Sequence, residues 1–170
     1  MTTSVKDNLL DWLRDAHAME EQAEKMLSTT ASRLENYPEL KARLERHLEE
    51  TRRQGQLVKG CIERLGGSTS TMKDLSAKII AMGQGLSGLF VSDEVVKATM
   101  ASYTFEHFEI CSYRALIAAA EAAGDVETKR VCEQILPEEE AMAAWLAEQL
   151  PIVTQQFLQR AQTPGVTAKH

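Results

Sequence analysis

Residues 47–54 read His47-Leu48-Glu49-Glu50-Thr51-Arg52-Arg53-Gln54. On a helix of ~3.6 residues per turn, His47, Glu50 and Gln54 stand at i, i+3 and i+7 and share one face. The face is otherwise apolar. Leu40, Leu44, Thr51, Val58, Ile62 and Leu65 form a stripe with His47, and Leu57 and Cys61 continue the row of Glu50 and Gln54. An imidazole and a carboxylate thus occupy positions that the hydrophobic periodicity assigns to a core.

Glu50 has three counterparts. Glu20 lies thirty residues before it, and Glu109 and Glu139 form a second pair with the same spacing. Near the middle of the first pair the chain reads Asn36-Tyr37-Pro38, and near the middle of the second Gly124-Asp125. Both are turn signals between long periodic stretches. In each antiparallel hairpin the two Glu then stand at one height, about 22 Å from the turn at ~1.5 Å per residue. Two hairpins bring four carboxylates to one level.

Taken in order, the chain predicts a first helix from Ser4 to about Glu35, with Leu13, Glu20, Leu27 and Leu34 at heptad spacing. The second runs from Pro38 to Leu65 and stops at Gly66-Gly67. Residues 66–91 break the periodicity and read as a connection with a short amphipathic helix over about 72–82. Its length suffices to cross the ~40 Å of a long helix, so the second and third helices are expected to run parallel. The third helix spans about Ser92 to Ala123, with Glu106, Glu109, Ile110 and Tyr113 on its buried side. The fourth spans Val126 to Leu150, with a kink expected at Pro137 and an end or second kink at Pro151. Residues 1–160 are one domain, and 161–170 are expected to be a disordered tail. The fold class is all-α, a four-helix bundle with a long crossover between the second and third helices.

An offset of 89 residues maps the first hairpin onto the second. Glu20 falls on Glu109, Glu50 on Glu139 and His17 on Glu106, but His47 falls on Leu136 and Gln54 on Ala143. The two hairpins are structurally similar, and the second is poorer in donors. An ionised carboxylate in an apolar core costs several kcal/mol unless compensated, and several together repel. Two divalent cations offset that cost, and carboxylate with imidazole suits iron or manganese. The expected metal ligands are Glu20, His47, Glu50, Glu106, Glu109 and Glu139, with Glu50 and Glu139 bridging. A metal-free network with Arg14, Arg53 and Arg114 is the competing reading.

Composition narrows the partners. A net charge of −6 argues against nucleic acid and anionic membranes. No apolar run has the length of a membrane span, and the first residues lack the hydrophobic segment of a signal peptide. Three widely spaced cysteines suit reduced thiols, so the expected location is the cytoplasm.

The segments Asp15 to Gln22, His47 to Gln54, Glu106 to Tyr113 and Glu138-Glu139-Glu140 resemble those of the YciE/YciF group of bacterial stress proteins, in the ferritin-like superfamily. The resemblance covers nearly the whole chain. It implies a ferritin-like bundle that forms a homodimer, with a two-metal centre and an association with stress. The chain departs from the superfamily's Glu-x-x-His pairs: it has His47-x-x-Glu50 in reverse order and no His in the fourth helix. Two function classes follow. One is a redox-active di-metal protein that oxidises Fe(II) or consumes O₂ or peroxide. The other is a structural stress protein whose metal only holds the bundle together.

Overall fold

The structure, a computed structural model, describes residues 4–69 and 92–169. Its regular elements are four long helices: α1 (Val5–Arg33), α2 (Pro38–Arg64), α3 (Glu94–Ala123) and α4 (Val126–Ala161). The punctuation explains their ends. Ser4 caps α1 through a reciprocal pair: Asp7 N donates to Ser4 Oγ at 3.1 Å, and Ser4 N donates to Asp7 Oδ2 at 3.0 Å. Pro38 opens α2. Gly124 ends α3 in the left-handed region, at φ 70°. Asp125 then accepts from Thr128 N at 3.3 Å to start α4.

The fourth helix is longer than its prolines suggest. It continues through Pro137 and Pro151 to Ala161. Each proline frees the carbonyl four residues earlier, at Glu133 and Ala147. These residues and both prolines are exposed, so water can satisfy the freed groups.

Contacts between the hairpins fix the topology. Arg33 near the end of α1 meets Glu94 at the start of α3, and Tyr113 further along α3 meets Glu20. Those numbers run in opposite directions, so α1 and α3 are antiparallel. Arg64 likewise meets Asp125 and Thr128, while His47 meets Glu139, so α2 and α4 are antiparallel. With α1 also antiparallel to α2, helices α2 and α3 run parallel. The chain between Arg64 and Glu94 therefore joins opposite ends of the bundle, as the crossover reading requires. The short helix expected over 72–82 lies outside the described residues.

The core falls into two apolar clusters. One contains Leu9, Leu13, Val58, Ile62, Leu116 and Ile135. The other contains Leu27, Leu40, Leu44, Met142 and Leu146. Where they meet, each helix contributes buried polar residues: Glu20 from α1, His47, Thr51 and Gln54 from α2, Glu106 and Glu109 from α3, and Glu139 from α4. Burying each large aliphatic side chain contributes about 1.5–3 kcal/mol, which supports a polar layer that is costly by itself.

Residues 161–170 were expected as a disordered tail. Within the described part, Ala168 O accepts from the Tyr37 hydroxyl at 2.7 Å, and Lys169 O accepts from Val95 N at 3.2 Å. Lys169 Nζ lies 3.3 Å from the buried Glu94. The tail thus supplies partners for an open donor in the first turn of α3 and for a buried carboxylate.

Candidate metal centre

Four side chains from three helices converge in the polar layer. One donor atom from each of His47, Glu106, Glu109 and Glu139 lies within 4.8 Å of the other three, and all four residues are buried. His47 Nε2 stands 3.1 Å from Glu106 Oε2 and 3.4 Å from Glu139 Oε2. Glu20, also buried, accepts a hydrogen bond on Oε1 from the Tyr113 hydroxyl.

Glu50 is placed differently. Its side chain is 35% exposed, against 3% for Glu106 and 1% for Glu139. Its Oε2 accepts from His47 Nδ1 at 2.7 Å and from Arg43 Nη1 at 3.3 Å. The converging set of four thus contains neither Glu20 nor Glu50. Glu20 borders it inside the core, and Glu50 reaches it through His47.

Other sequence candidates fall outside this group. His17 is half-buried and Ala143 adds no donor. Glu138 binds Arg53 and accepts from Gln54 Nε2 at 2.8 Å. The role of Arg43 escaped the sequence reading. The signal was there, since Arg43 lies seven residues before Glu50 on the same side of α2.

The polar atoms of the layer are under-paired. His47 Nε2, Glu106 Oε2 and Glu139 Oε2 meet as ion-pair contacts at 3.1 and 3.4 Å without a well-aligned hydrogen bond, and Glu20 Oε2, Glu109 Oε1 and Glu139 Oε1 are buried without a hydrogen-bond partner among the described residues. The Oε1 of the fully buried Gln54 shares that state. The arginines that could have made a salt-bridge network are engaged at the surface. Arg14 pairs with Asp11 at 2.9 Å, Arg114 with Glu140 at 2.8 Å, and Arg53 with Glu138. Among the described residues no Lys or Arg pairs with Glu20, Glu106, Glu109 or Glu139, and His47 is the one basic side chain that does.

The electrostatics follow. Burial, then the charge of Glu139, pushes the Glu20 carboxyl well above its usual range. Burial and the charges of Glu139, Glu106 and Glu20 do the same to Glu109. Glu106 is pushed up by burial to about 7, against the opposing pull of His47. For His47, burial works to lower the value but the carboxylates of Glu106, Glu139 and Glu50 outweigh it and raise it. Glu50 is lowered, chiefly by its hydrogen bond to His47. The layer thus carries more acid than its single base can neutralise. Orphaned oxygens facing one imidazole are a donor set that fits divalent transition metals.

The fold recurs in known proteins. A protein of Xanthomonas campestris pv. campestris of solved structure is similar at a TM-score of 0.80 and 44% identity, over 94% of this chain and 99% of that one. Protein YciF of Escherichia coli (strain K12) is 29% identical over 149 residues, 81% of this chain and 85% of that protein. The solved structure of the E. coli stress protein YciF matches at a TM-score of 0.73 and 23% identity, over 88% of this chain and 96% of that one. The fold extends to the Desulfovibrio desulfuricans bacterioferritin, described with a diiron site, at a TM-score of 0.72 and 21% identity over 89% of this chain and 82% of that one. The family described as Domain of unknown function (DUF892) matches residues 4–159, so the chain belongs to that family and, with YciF among its relatives, to the YciE/YciF group of ferritin-like bundles.

Proposed function

We propose that this protein is a di-metal carboxylate bundle protein that carries out redox chemistry on Fe(II), O₂ or peroxide under stress. One observation carries the reading: a buried, acid-rich layer whose oxygens converge on one imidazole with no Lys or Arg among the described residues pairing there. Glu20, His47, Glu106, Glu109 and Glu139 are the donors. Iron is the preferred ion and manganese the alternative, by ligand type. When bound, such ions would supply one-electron chemistry toward a small oxidant.

The side chains have separate tasks. Tyr113 fixes one oxygen of Glu20 and leaves the other toward the layer. Glu139 has one oxygen without a protein partner among the described residues and the other 3.4 Å from His47 Nε2, and it acts electrostatically on Glu20, Glu106 and Glu109, so it is the best placed to be shared. The raised carboxyls release protons when they take up a cation, so loading is favoured by rising pH. The apolar clusters on both sides keep bulk water away.

A homodimer in the cytoplasm and a role in stress complete the proposal, supported by the resemblance to YciF. No helix among the described residues is long and apolar enough to cross a membrane. The test is metal analysis of protein purified without chelator, followed by O₂ and peroxide consumption of the iron-loaded form. Bound metal with turnover supports the redox reading. Bound metal that raises the melting temperature without turnover favours the structural role, and absence of metal overturns both. Sedimentation at micromolar concentration tests the dimer.

A further inference from the structure

We propose that Glu50 is a positioning residue for His47 and not a metal ligand. The inference rests on the metal reading above and assigns Glu50 a task within it. His47 has two ring nitrogens with different surroundings. Nδ1 lies 2.7 Å from Glu50 Oε2, while Nε2 faces Glu106 and Glu139 at 3.1 and 3.4 Å. A carboxylate accepts, so Nδ1 carries a proton and donates. Nε2 faces the carboxylates of the layer, donates to them while no cation is bound, and is the nitrogen that would give up its proton to present a lone pair to a cation. Glu50 is itself held by Arg43 Nη1 at 3.3 Å, and its side chain is 35% exposed while that of His47 is fully buried. Arg43, Glu50 and His47 form a line of contacts along α2 that ends in the buried layer.

The internal repeat explains why Glu50 and its counterpart diverge. Glu139 stands 89 residues after Glu50, where the sequence has Leu136 in place of His47. With no imidazole on its own helix to hold, Glu139 keeps both oxygens inside the core, with Oε2 3.4 Å from His47 Nε2 and Oε1 without a hydrogen-bond partner among the described residues. Glu50 instead spends one oxygen on the His47 of its own helix and is part-exposed. The symmetry-related carboxylates therefore do different work: Glu139 faces the cation and Glu50 orients the imidazole.

The test compares Glu50→Gln, Glu50→Ala and wild type by equilibrium titration with Mn(II), read as stoichiometry and affinity. A partner that orients a metal-binding histidine changes affinity by about 10- to 100-fold. Glu50→Ala is expected to keep the wild-type number of ions with affinity weakened in that range. Glu50→Gln, whose amide oxygen still accepts from Nδ1, is expected to recover most of the loss. Loss of one or both ions in both variants would make Glu50 a ligand and overturn the proposal. A second readout does not depend on metal: NMR of ¹⁵N-labelled histidine in chelated protein. The Nδ1–H signal of His47 should be protected from exchange in wild type and in Glu50→Gln, and lost in Glu50→Ala. An unchanged signal in Glu50→Ala would overturn the proposal. A protected signal in a wild type that binds no metal would sink the metal reading alone and leave the Glu50–His47 link standing.

Discussion

Single side chains decide the chemistry of the polar layer, and Tyr113 is the clearest case. It is fully buried and its hydroxyl donates to Glu20 Oε1. Burial, then the charge of Glu20, raises the Tyr113 hydroxyl well above its usual range, so it remains a donor at any working pH. Tyr113→Phe leaves a buried carboxylate oxygen without a partner, which costs about 1–3 kcal/mol. Chemical denaturation of chelated protein should show a loss of that size and unchanged cooperativity. At this scale the sequence was informative about which residues face inward, because periodicity reports a helix face. It placed Tyr113 one turn beyond Glu109. It gave no means to find Glu20 as the partner, since pairing across helices depends on their relative register. Glu50 shows the same limit. Its position on α2 is core-like, but its carboxylate is taken by His47 Nδ1 and Arg43 and is part-exposed, and periodicity carries no information about such pairings.

Among the elements, the end of the bundle where α1, α3 and the tail meet has its own electrostatics. Arg33 holds buried Glu94 with Nε–Oε1 at 2.5 Å and Nη2–Oε2 at 2.9 Å, and Lys169 adds a contact at 3.3 Å. Burial alone would raise the Glu94 carboxyl, but these cations outweigh it and hold it below its ordinary value. A carboxyl lowered on folding contributes stability that is present above its unfolded value, about 4.5, and lost as pH falls through the folded one. The melting temperature of wild type should therefore drop more steeply below about pH 4.5 than that of Glu94→Gln, while Glu94→Gln starts lower at neutral pH. A parallel acid limb in the two proteins would show that Glu94 contributes nothing. Helix boundaries were legible because Ser4, Pro38 and Gly124 are strong signals with local causes. The run of α4 through two prolines was not, because it depends on which side of the helix meets water. The tail's contacts are equally long-range, joining Tyr37 to Ala168.

For the whole molecule, the thirty-residue spacing within each hairpin and the 89-residue offset between them were enough to read two hairpins with a shared polar level. The parallel course of α2 and α3 followed from the length of the connection. What the sequence left open was whether arginines neutralise that level, and the placement of Arg14, Arg53 and Arg114 at the surface answers it. The consequence is a protein whose core is electrostatically frustrated without a cation. Raised carboxyls contribute stability below their unfolded value and lose it as pH rises through the folded one, about 7 for Glu106. Chelated protein should thus melt at a higher temperature near pH 5 than near pH 8, and bound metal should reverse that order. The most direct measurement is the melting temperature at pH 8 of chelated wild type and Glu139→Ala as Mn(II) is added. A rise with metal concentration is expected in wild type and none in Glu139→Ala, with the chelated variant as stable as chelated wild type or more so. Wild type indifferent to Mn(II) and Fe(II), together with a Glu139→Ala variant that is destabilised in chelator, would contradict the metal reading.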